Sequence, residues 1–308
     1  TRTVKCKNPT CGATVPLARQ TWLCRTPGRS VGLCPILDRQ SRRVRFQVYE
    51  GPSPSDLPFD PSRGSTGSSV VCPFCGSVCD PEYVKAQGAK NHLGYQPLAV
   101  VSAAPNRRGK VYLSCSEDLL DSLSTQTSHS DPHGCLVDAP TEPFEANPRS
   151  FDPQRYGVTH WSGLFAPAEL HMLRSVAGII KAAYREMTAK IALAPGQFMA
   201  IAAILALTFD KLAERSTILS RWNAVNQVPN SPISAGKIPM VMDYAVVCPL
   251  WSGAGSWISC IDYVASALKR LGECSLRSAI VERSDAKRLP YRNCQCDAIV
   301  TDPPYYDN

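Results

Sequence analysis

The segment Thr301–Asn308 brings together a carboxylate, two prolines and two tyrosines. The carboxylate of Asp302 and the carbonyl of Pro303 can each accept a hydrogen bond from one amino group, and Tyr305 offers a ring on which an extruded base can stack. Two acceptors on one amino nitrogen would turn its lone pair out of conjugation and towards an electrophilic methyl group. This set of groups predicts chemistry on the exocyclic amine of a flipped nucleobase.

A short strand is predicted to position these groups. Residues Asp297–Val300 form an apolar run rich in β-branched residues, which is typical of a buried strand. The strand should end at Asp302, because Pro303 and Pro304 cannot donate backbone hydrogen bonds to a sheet. In open α/β sheets, ligands bind at the carboxyl ends of strands. The alternative interpretation is a proline-rich turn after an edge strand, in which Asp302 only forms the turn.

Two pairs of cysteines have the spacing of metal ligands. Cys6 and Cys11 are separated by four residues and followed by glycine, and Cys72 and Cys75 form a Cys-x-x-Cys-Gly turn. Two such turns at a distance are typical of a zinc ribbon in which four thiolates bind one structural Zn²⁺. Cys79 lies close enough in sequence to replace one ligand. The alternative is a set of unrelated buried thiols, and this is the interpretation that we favour for Cys24 and Cys34.

The positive charge is concentrated at one end of the sequence. The 308 residues carry a net charge of +7, but residues 1–50 alone reach +8, because they contain ten basic residues against Asp38 and Glu50. The ten are Arg2, Lys5, Lys7, Arg19, Arg25, Arg29, Arg39, Arg42, Arg43 and Arg45. A basic segment beside a neutral body suggests contact with nucleic acid, and double-stranded DNA is the expected partner. The alternative is a solvated basic face without a partner.

Cysteine usage and hydropathy bear on localisation. The 14 cysteines include pairs typical of metal sites rather than of a small disulfide framework, which favours a reducing, cytoplasmic setting. No signal peptide is recognisable. The longest uncharged apolar stretch, 191–209, is interrupted by Pro195, Gly196 and Gln197, so we expect it to be a poor membrane span.

The first part of the chain, up to residue 113, is predicted to form mainly strands. Alternation in 43–49 predicts a half-exposed strand whose arginines share one face, an arrangement that suits contact with backbone phosphates. Two further strands are expected within 22–37, and two more at 98–101 and 110–113. The stretch 51–69 is rich in Pro, Gly and Ser, which predicts a mobile loop.

The second part alternates between helices and strands. Pro167 begins a helix with apolar residues at helical spacing, and a second helix is expected over Gly196–Trp222. A strand at Met240–Val247, a helix over 258–271 and a strand at Ala279–Glu282 follow. Together with the strand before Asp302, this order predicts a partial doubly wound α/β sheet.

Asp285 is a candidate ligand for a nucleotide cofactor. It lies just past the strand 279–282, one strand before the Asp302 strand, where a carboxylate could bind the adenine amine of such a cofactor. The alternative is an ordinary turn former.

Several segments together resemble a known family. The chain is similar to the interior of the zinc-ribbon-containing adenine-specific DNA methylases that carry the DUF1156 domain. The segments that carry the resemblance, in matching order over nearly all of the chain, are Cys11–Leu17, Cys72–Gly76, Tyr156–Trp161 with Leu164 and Phe165, Pro239–Tyr244 and Ile299–Asn308. The resemblance implies a partial Rossmann-like methyltransferase sheet with an inserted β-rich zinc ribbon and a helical segment.

The resemblance also implies an activity. It predicts transfer of a methyl group from S-adenosylmethionine to N6 of a flipped adenine in DNA. It assigns the amine-holding and base-stacking roles to Asp302, Pro303, Pro304 and Tyr305. It also implies that one zinc ion is bound by Cys6, Cys11, Cys72 and Cys75. Cytosine-N4 transfer uses nearly the same geometry and is a second possible activity. A third possibility is a zinc-ribbon nucleic-acid-binding module without catalysis.

One family element is missing from the sequence. No glycine-rich Phe-x-Gly-x-Gly loop, which binds the methionine part of the cofactor in such enzymes, is present in the 308 residues. We therefore expect a fragment or truncated product that binds S-adenosylmethionine weakly or not at all. The expected organisation is a zinc-ribbon and β-rich segment at 1–113, a linker at 114–150, a helical segment at 151–230 and the partial methyltransferase sheet at 231–308.

Overall fold

The computed structural model describes residues 1–66, 68–104, 109–115, 136–145, 151–230, 232, 238–251, 253–273 and 279–302. The chain divides into two compact units, Thr1–Val264 and Ala265–Asn308. The β-rich segment 1–113 and the helical segment 151–230 therefore belong to one unit. Most of the predicted linker, 116–135 and 146–150, lies outside the described residues.

A six-stranded mixed sheet forms the centre of the first unit. Its strands are β1 (Arg2–Lys5), β2 (Thr14–Pro16), β3 (Trp22–Thr26), β4 (Arg29–Asp38), β5 (Arg43–Gly51) and, later in the chain, β8 (Gly94–Tyr95). The strand order is β3-β4-β5-β2-β1-β8, and every neighbouring pair is antiparallel except β2 and β5. These two strands are joined in parallel by the single pair Thr14 and Arg43.

The predicted strands of residues 22–51 are confirmed, with β4 and β5 paired along their whole length. Val31, Leu33 and Val44 are buried, whereas Arg43 and Arg45 on β5 are exposed. Because side chains on a strand point alternately to opposite faces, the apolar residues turn into the core and the two arginines share the outer face.

The stretch 51–69 after β5, predicted to be a mobile loop, is held against the sheet in its described residues. Trp22 Nε1 donates a hydrogen bond to Ser62 Oγ at 3.0 Å, and the Thr21 N–H donates to the Pro61 carbonyl at 2.8 Å. Pro61 packs so closely over Gly32 that a Cβ at this glycine would lie 2.7 Å from Pro61 Cγ. The few apolar side chains of this loop are therefore part of the core.

Three small two-stranded sheets and one helix complete the β-rich part. The sheets pair β6 (Val70–Val71) with β7 (Val78–Cys79), β9 (Ala99–Ala103) with β10 (Lys110–Ser114), and β11 (Trp222–Asn223) with β12 (Val228–Pro229). The helix α1 (Pro81–Ala89) begins at Asp80, whose side chain accepts a hydrogen bond from the Tyr83 N–H. The strands expected at 98–101 and 110–113 are thus confirmed as β9 and β10.

Three long helices follow, and their starts agree with the predictions. They are α2 (Pro167–Lys190), α3 (Pro195–Arg215) and α4 (Trp257–Gly272). The second predicted helix was too long, because the chain turns after Arg215 and Trp222 lies in β11. The Trp222 indole N–H donates to the Leu23 carbonyl at 2.7 Å, so this residue packs on the β-rich part instead of extending α3.

The apolar helix α3 differs from expectation. Pro195, Gly196 and Gln197 form its first turn and do not interrupt it. Among the described residues, Gly196–Arg215 is long and apolar enough to cross a membrane by length and composition, with 17% of its most apolar window buried. This finding alone is weak evidence for a membrane span, and the cytoplasmic location stays a prediction.

The strands predicted in the last part of the chain are absent from the described residues. Met240, Val241 and Met242 are buried but irregular; the Arg2 N–H donates to the Met242 carbonyl at 2.7 Å without forming a strand. Residues 279–302 carry no strand and are exposed throughout. An apolar run becomes a strand only when a neighbouring backbone supplies a ladder of hydrogen bonds, and the described part of the chain places no strand beside 279–302. The fold is α/β overall, with a mixed sheet and helices.

Candidate metal centre

Two turns of antiparallel hairpins carry the predicted cysteine ligands. Cys6 and Cys11 lie between β1 and β2, and Cys72 and Cys75 lie between β6 and β7. Backbone hydrogen bonds close both turns: the Cys6 N–H donates to Ala13, and the Cys72 N–H donates to Ser77. In each turn the last cysteine is followed by a glycine with positive φ, 66° at position 12 and 74° at position 76. Residues with a Cβ rarely adopt this conformation, which accounts for the glycine in each motif.

The four thiols converge on one point. Cys6 Sγ lies 3.5 Å from Cys75 Sγ, Cys11 Sγ lies 3.8 Å from Cys72 Sγ, and all four sulfurs are within 4.8 Å of one another. Sulfurs at the corners of a tetrahedron around zinc, with Zn–S bonds of about 2.3 Å, are about 3.8 Å apart. The sulfur positions therefore fit a single metal ion such as Zn²⁺, and these four cysteines could hold one.

Burial makes the four thiols unequal. Cys6, Cys11 and Cys72 are buried, whereas Cys75 is exposed. Burial raises the pKa of the Cys6 thiol well above its ordinary value. Hydrogen bonds from the side chain and backbone of Ser77 lower the pKa of Cys75 to about 6. One thiolate is therefore available at neutral pH, while the deprotonation of Cys6 requires a nearby cation.

Neighbouring groups brace the two turns, and the cysteine spacing alone did not reveal them. Lys7 in the first turn forms an ion pair with Asp80, which follows the second turn and caps α1. The Tyr83 hydroxyl donates to the Lys5 carbonyl at 3.2 Å. The sequence does contain a signal, since Asp before Pro81 is typical of a helix start and places a carboxylate beside the cysteines.

Cys79 lies next to the metal centre but outside the group of ligands. It is fully buried, and its sulfur accepts a hydrogen bond from the Lys7 N–H at 3.4 Å. Burial raises the pKa of its thiol. Cys79 therefore packs under the first turn as a neutral thiol, and Cys24 is likewise a buried free cysteine. Cys34 is only half-buried.

The predicted catalytic and cofactor residues are placed only in part. Asp302 is described and exposed, while Pro303, Pro304 and Tyr305 lie outside the described residues. Asp285 is exposed, and its Oδ1 accepts a hydrogen bond from the Lys287 N–H at 2.9 Å, which is the geometry of a turn former. Because all of 279–302 is exposed, these described residues enclose no site that fits S-adenosylmethionine, and we assign none of them to it.

Comparison with known proteins adds no relative. No family model matches the chain, no curated protein matches it, and no solved structure matches it.

Proposed function

We propose that residues 1–79 contain a zinc ribbon with a structural Zn²⁺ bound by Cys6, Cys11, Cys72 and Cys75. The single observation that carries this proposal is the convergence of the four sulfurs within 4.8 Å. Four sulfur ligands fill the tetrahedral positions that zinc prefers, so no position remains for a water or a substrate. The ion would therefore tie two hairpin turns together, and it would take no part in a chemical step.

The zinc proposal is tested by metal content. Protein produced in zinc-supplemented medium should contain one Zn²⁺ per chain after dialysis, measured by plasma emission spectrometry. Cobalt substitution should give the intense thiolate-to-metal absorption of a tetrahedral sulfur site. Protein that binds no stoichiometric metal under reducing conditions would contradict the proposal.

For the chain's activity we propose S-adenosylmethionine-dependent methylation of N6 of adenine in DNA, as in the zinc-ribbon-containing DUF1156-type methylases. The support is the sequence Asp302-Pro303-Pro304-Tyr305 and its similarity to the amine-holding motif of that family. Asp302 and the Pro303 carbonyl would accept hydrogen bonds from the amine, and Tyr305 would stack on the flipped base. Catalysis of this kind relies on positioning and electrostatics rather than on a covalent intermediate.

A non-catalytic nucleic-acid-binding module is the second candidate function. It is favoured by one observation, since residues 279–302, which lead into the motif, are exposed and belong to no helix or sheet strand in the described structure. A catalytic carboxylate has to be held within a fraction of an ångström, and an exposed segment outside helices and strands does not supply that support. Cytosine-N4 transfer is a variant of the first proposal, because the motif holds either amine in the same way.

Methyl transfer from labelled S-adenosylmethionine to DNA distinguishes these candidates, with the modified nucleoside identified by mass spectrometry. Methyladenine formed by the protein and lost in Asp302→Ala would support the reaction and the residue together. Methylcytosine would keep the mechanism and change the base. DNA binding without transfer by either protein would favour the binding module.

A further inference from the structure

The end of the β4–β5 hairpin lies at the surface of the first unit. Pro35, Ile36 and Leu37 are exposed in succession, although neighbouring side chains on a strand point to opposite faces. On the partner strand, Arg43, Arg45 and Gln47 are exposed as well. Near the turn β4 is therefore exposed on both faces, whereas β5 stays attached to the body of the unit through the buried Val44, whose carbonyl accepts a hydrogen bond from Gln96 Nε2 at 2.6 Å.

The turn at the end of this hairpin is well organised. Asp38 Oδ1 accepts hydrogen bonds from the N–H groups of Gln40 and Ser41, and Asp38 Oδ2 pairs with Arg45 at 2.8 Å. The Thr14 N–H donates to the Arg42 carbonyl at 2.9 Å, which fastens the turn to β2. The residues between Asp38 and Arg45 are thus presented on a fixed backbone.

Three arginines on this turn have no acidic partner among the described residues. Arg39, Arg42 and Arg43 are exposed and form no ion pair there, in contrast to Arg29, which pairs with Glu50. Lys5 is on the same cross-strand row as Arg43, since Lys5 is opposite Thr14 and Thr14 is opposite Arg43. Two strand spacings place the Lys5 and Arg43 backbones about 10 Å apart. The four basic side chains form a positive surface, which we call the hairpin surface.

We propose that the hairpin surface (Lys5, Arg39, Arg42 and Arg43) binds the sugar-phosphate backbone of double-stranded B-form DNA without sequence preference. Contacts from exposed basic side chains to phosphate oxygens position a protein on the duplex and carry no sequence information. Single strands are bound by stacking of bases on aromatic rings, and the exposed residues of the β4–β5 hairpin include no aromatic side chain. These features favour duplex DNA.

This inference deepens the proposed DNA-directed function and rests on it only for the choice of DNA as the partner. Binding can be measured without methyl transfer, so the two proposals can fail separately. A chain that binds duplex DNA through the hairpin surface and transfers no methyl group would keep this inference and overturn the methyltransferase. A chain that methylates DNA at an unchanged rate after loss of the hairpin arginines would keep the methyltransferase proposal and overturn this inference.

The test measures binding of a fluorescein-labelled 20-base-pair duplex to the zinc-loaded chain by anisotropy, across a range of salt concentrations. The variant Arg39→Ala/Arg42→Ala/Arg43→Ala should bind about 100-fold more weakly near 100 mM salt, and its log–log salt slope should fall in magnitude by about 3. The corresponding Lys variant keeps the charges and should retain the slope. Zinc content and far-UV circular dichroism check that both variants fold.

A matched control removes three basic residues elsewhere. Lys90, Lys181 and Arg185 are exposed and form no ion pair in the described part of the chain. Their triple alanine variant loses the same charge and should bind within about threefold of the wild type. Equal weakening by both triple variants would overturn the proposal, because only net charge would then matter. Tighter binding to an RNA duplex of the same sequence, or no binding to the DNA duplex, would also overturn it.

Discussion

At the residue scale, the four cysteines differ in protonation state before a metal ion binds. The buried Cys6 has a raised pKa and keeps its proton at neutral pH, whereas the pKa of Cys75 is lowered to about 6 by Ser77. A metal can bind only after every ligand proton has left, so protons compete with the ion. Cys75 supplies a first anionic contact, and the field of the bound ion would then favour deprotonation of Cys6.

This difference predicts the pH dependence of zinc binding. A raised thiol pKa opposes binding at low pH, so affinity should increase steadily from about pH 5 to pH 8, with Cys75 protonating as the pH falls through 6. At pH 7 fewer than four protons should be released per ion, because Cys75 is already largely a thiolate. Calorimetry in buffers of different ionisation enthalpy measures this number. Release of all four protons would show that Ser77 does not stabilise the Cys75 thiolate.

The buried ligand Cys72 should be essential for the metal. Cys72→Ala removes one of four sulfurs and leaves a gap that water fills poorly, so stoichiometric zinc should be lost or bound at least 100-fold more weakly. Competition with a chromophoric chelator measures the affinity. The matched control is Cys34→Ala, which removes a half-buried thiol on β4 far along the chain from either ligand pair and should leave the affinity unchanged.

At the element scale, the strands and helices that were correctly predicted are those with their own neighbours. The alternation in Arg43–Tyr49 predicts β5, and β4 pairs with it across a short turn. The runs at 279–282 and 297–300 have equally strong β-branched composition, yet they are not strands in the described structure. Composition shows that a segment is compatible with a sheet, but the segment becomes a strand only when a partner strand is present.

The contact between α1 and the turn at 152–157 depends on two glycines. A Cβ at Gly157 would lie 2.3 Å from the Gly88 carbonyl oxygen, and Gly157 has φ +85°. Gly157→Ala should therefore destabilise the first unit by about 1–3 kcal/mol, measured by urea unfolding. Gly196→Ala is the matched control, because its added methyl group meets nothing within 4 Å in the first turn of α3. It should leave stability unchanged or raise it by less than about 1 kcal/mol.

At the scale of the whole molecule, the metal would join segments far apart in sequence. Cys11 and Cys72 are 61 positions apart, and β3, β4 and β5 lie between them. A link that closes a loop of this length restricts the unfolded chain, by about 4 kcal/mol in the entropy model used for disulfides. A bound ion of this kind would therefore stabilise the β-rich part as a whole.

Removal of the metal should thus lower the unfolding temperature of the first unit. With a loss of about 3 kcal/mol or more, we expect the midpoint to fall by about 10 °C. Differential scanning calorimetry with and without a strong chelator measures the shift. The chelator should have no effect on Cys72→Ala, and an equal shift in that variant would mean that the chelator acts elsewhere.

Spacing in the sequence was sufficient to predict which four cysteines converge but not the organisation of the whole chain. Two Cys-x₂₋₄-Cys-Gly turns specify a local geometry, and each turn needs only its own hairpin to form. The pairing of β2 with β5 and the packing of Met240 and Met242 in one cluster with Val4 and Val15 depend on contacts between residues distant in sequence. No periodic pattern encodes such contacts, so they could not be predicted from one sequence.

The single parallel pair between Thr14 and Arg43 has a consequence for the kinetics of folding. It joins a β1–β2 hairpin to a β3–β4–β5 meander, and the strand pairs within each of these two pieces are local and antiparallel. Local hairpins form within about 1–10 μs, whereas a junction between distant pieces forms only after the intervening chain has been ordered. The two pieces should therefore fold independently and dock late. Substitutions that weaken the junction would then accelerate unfolding and leave the folding rate nearly unchanged.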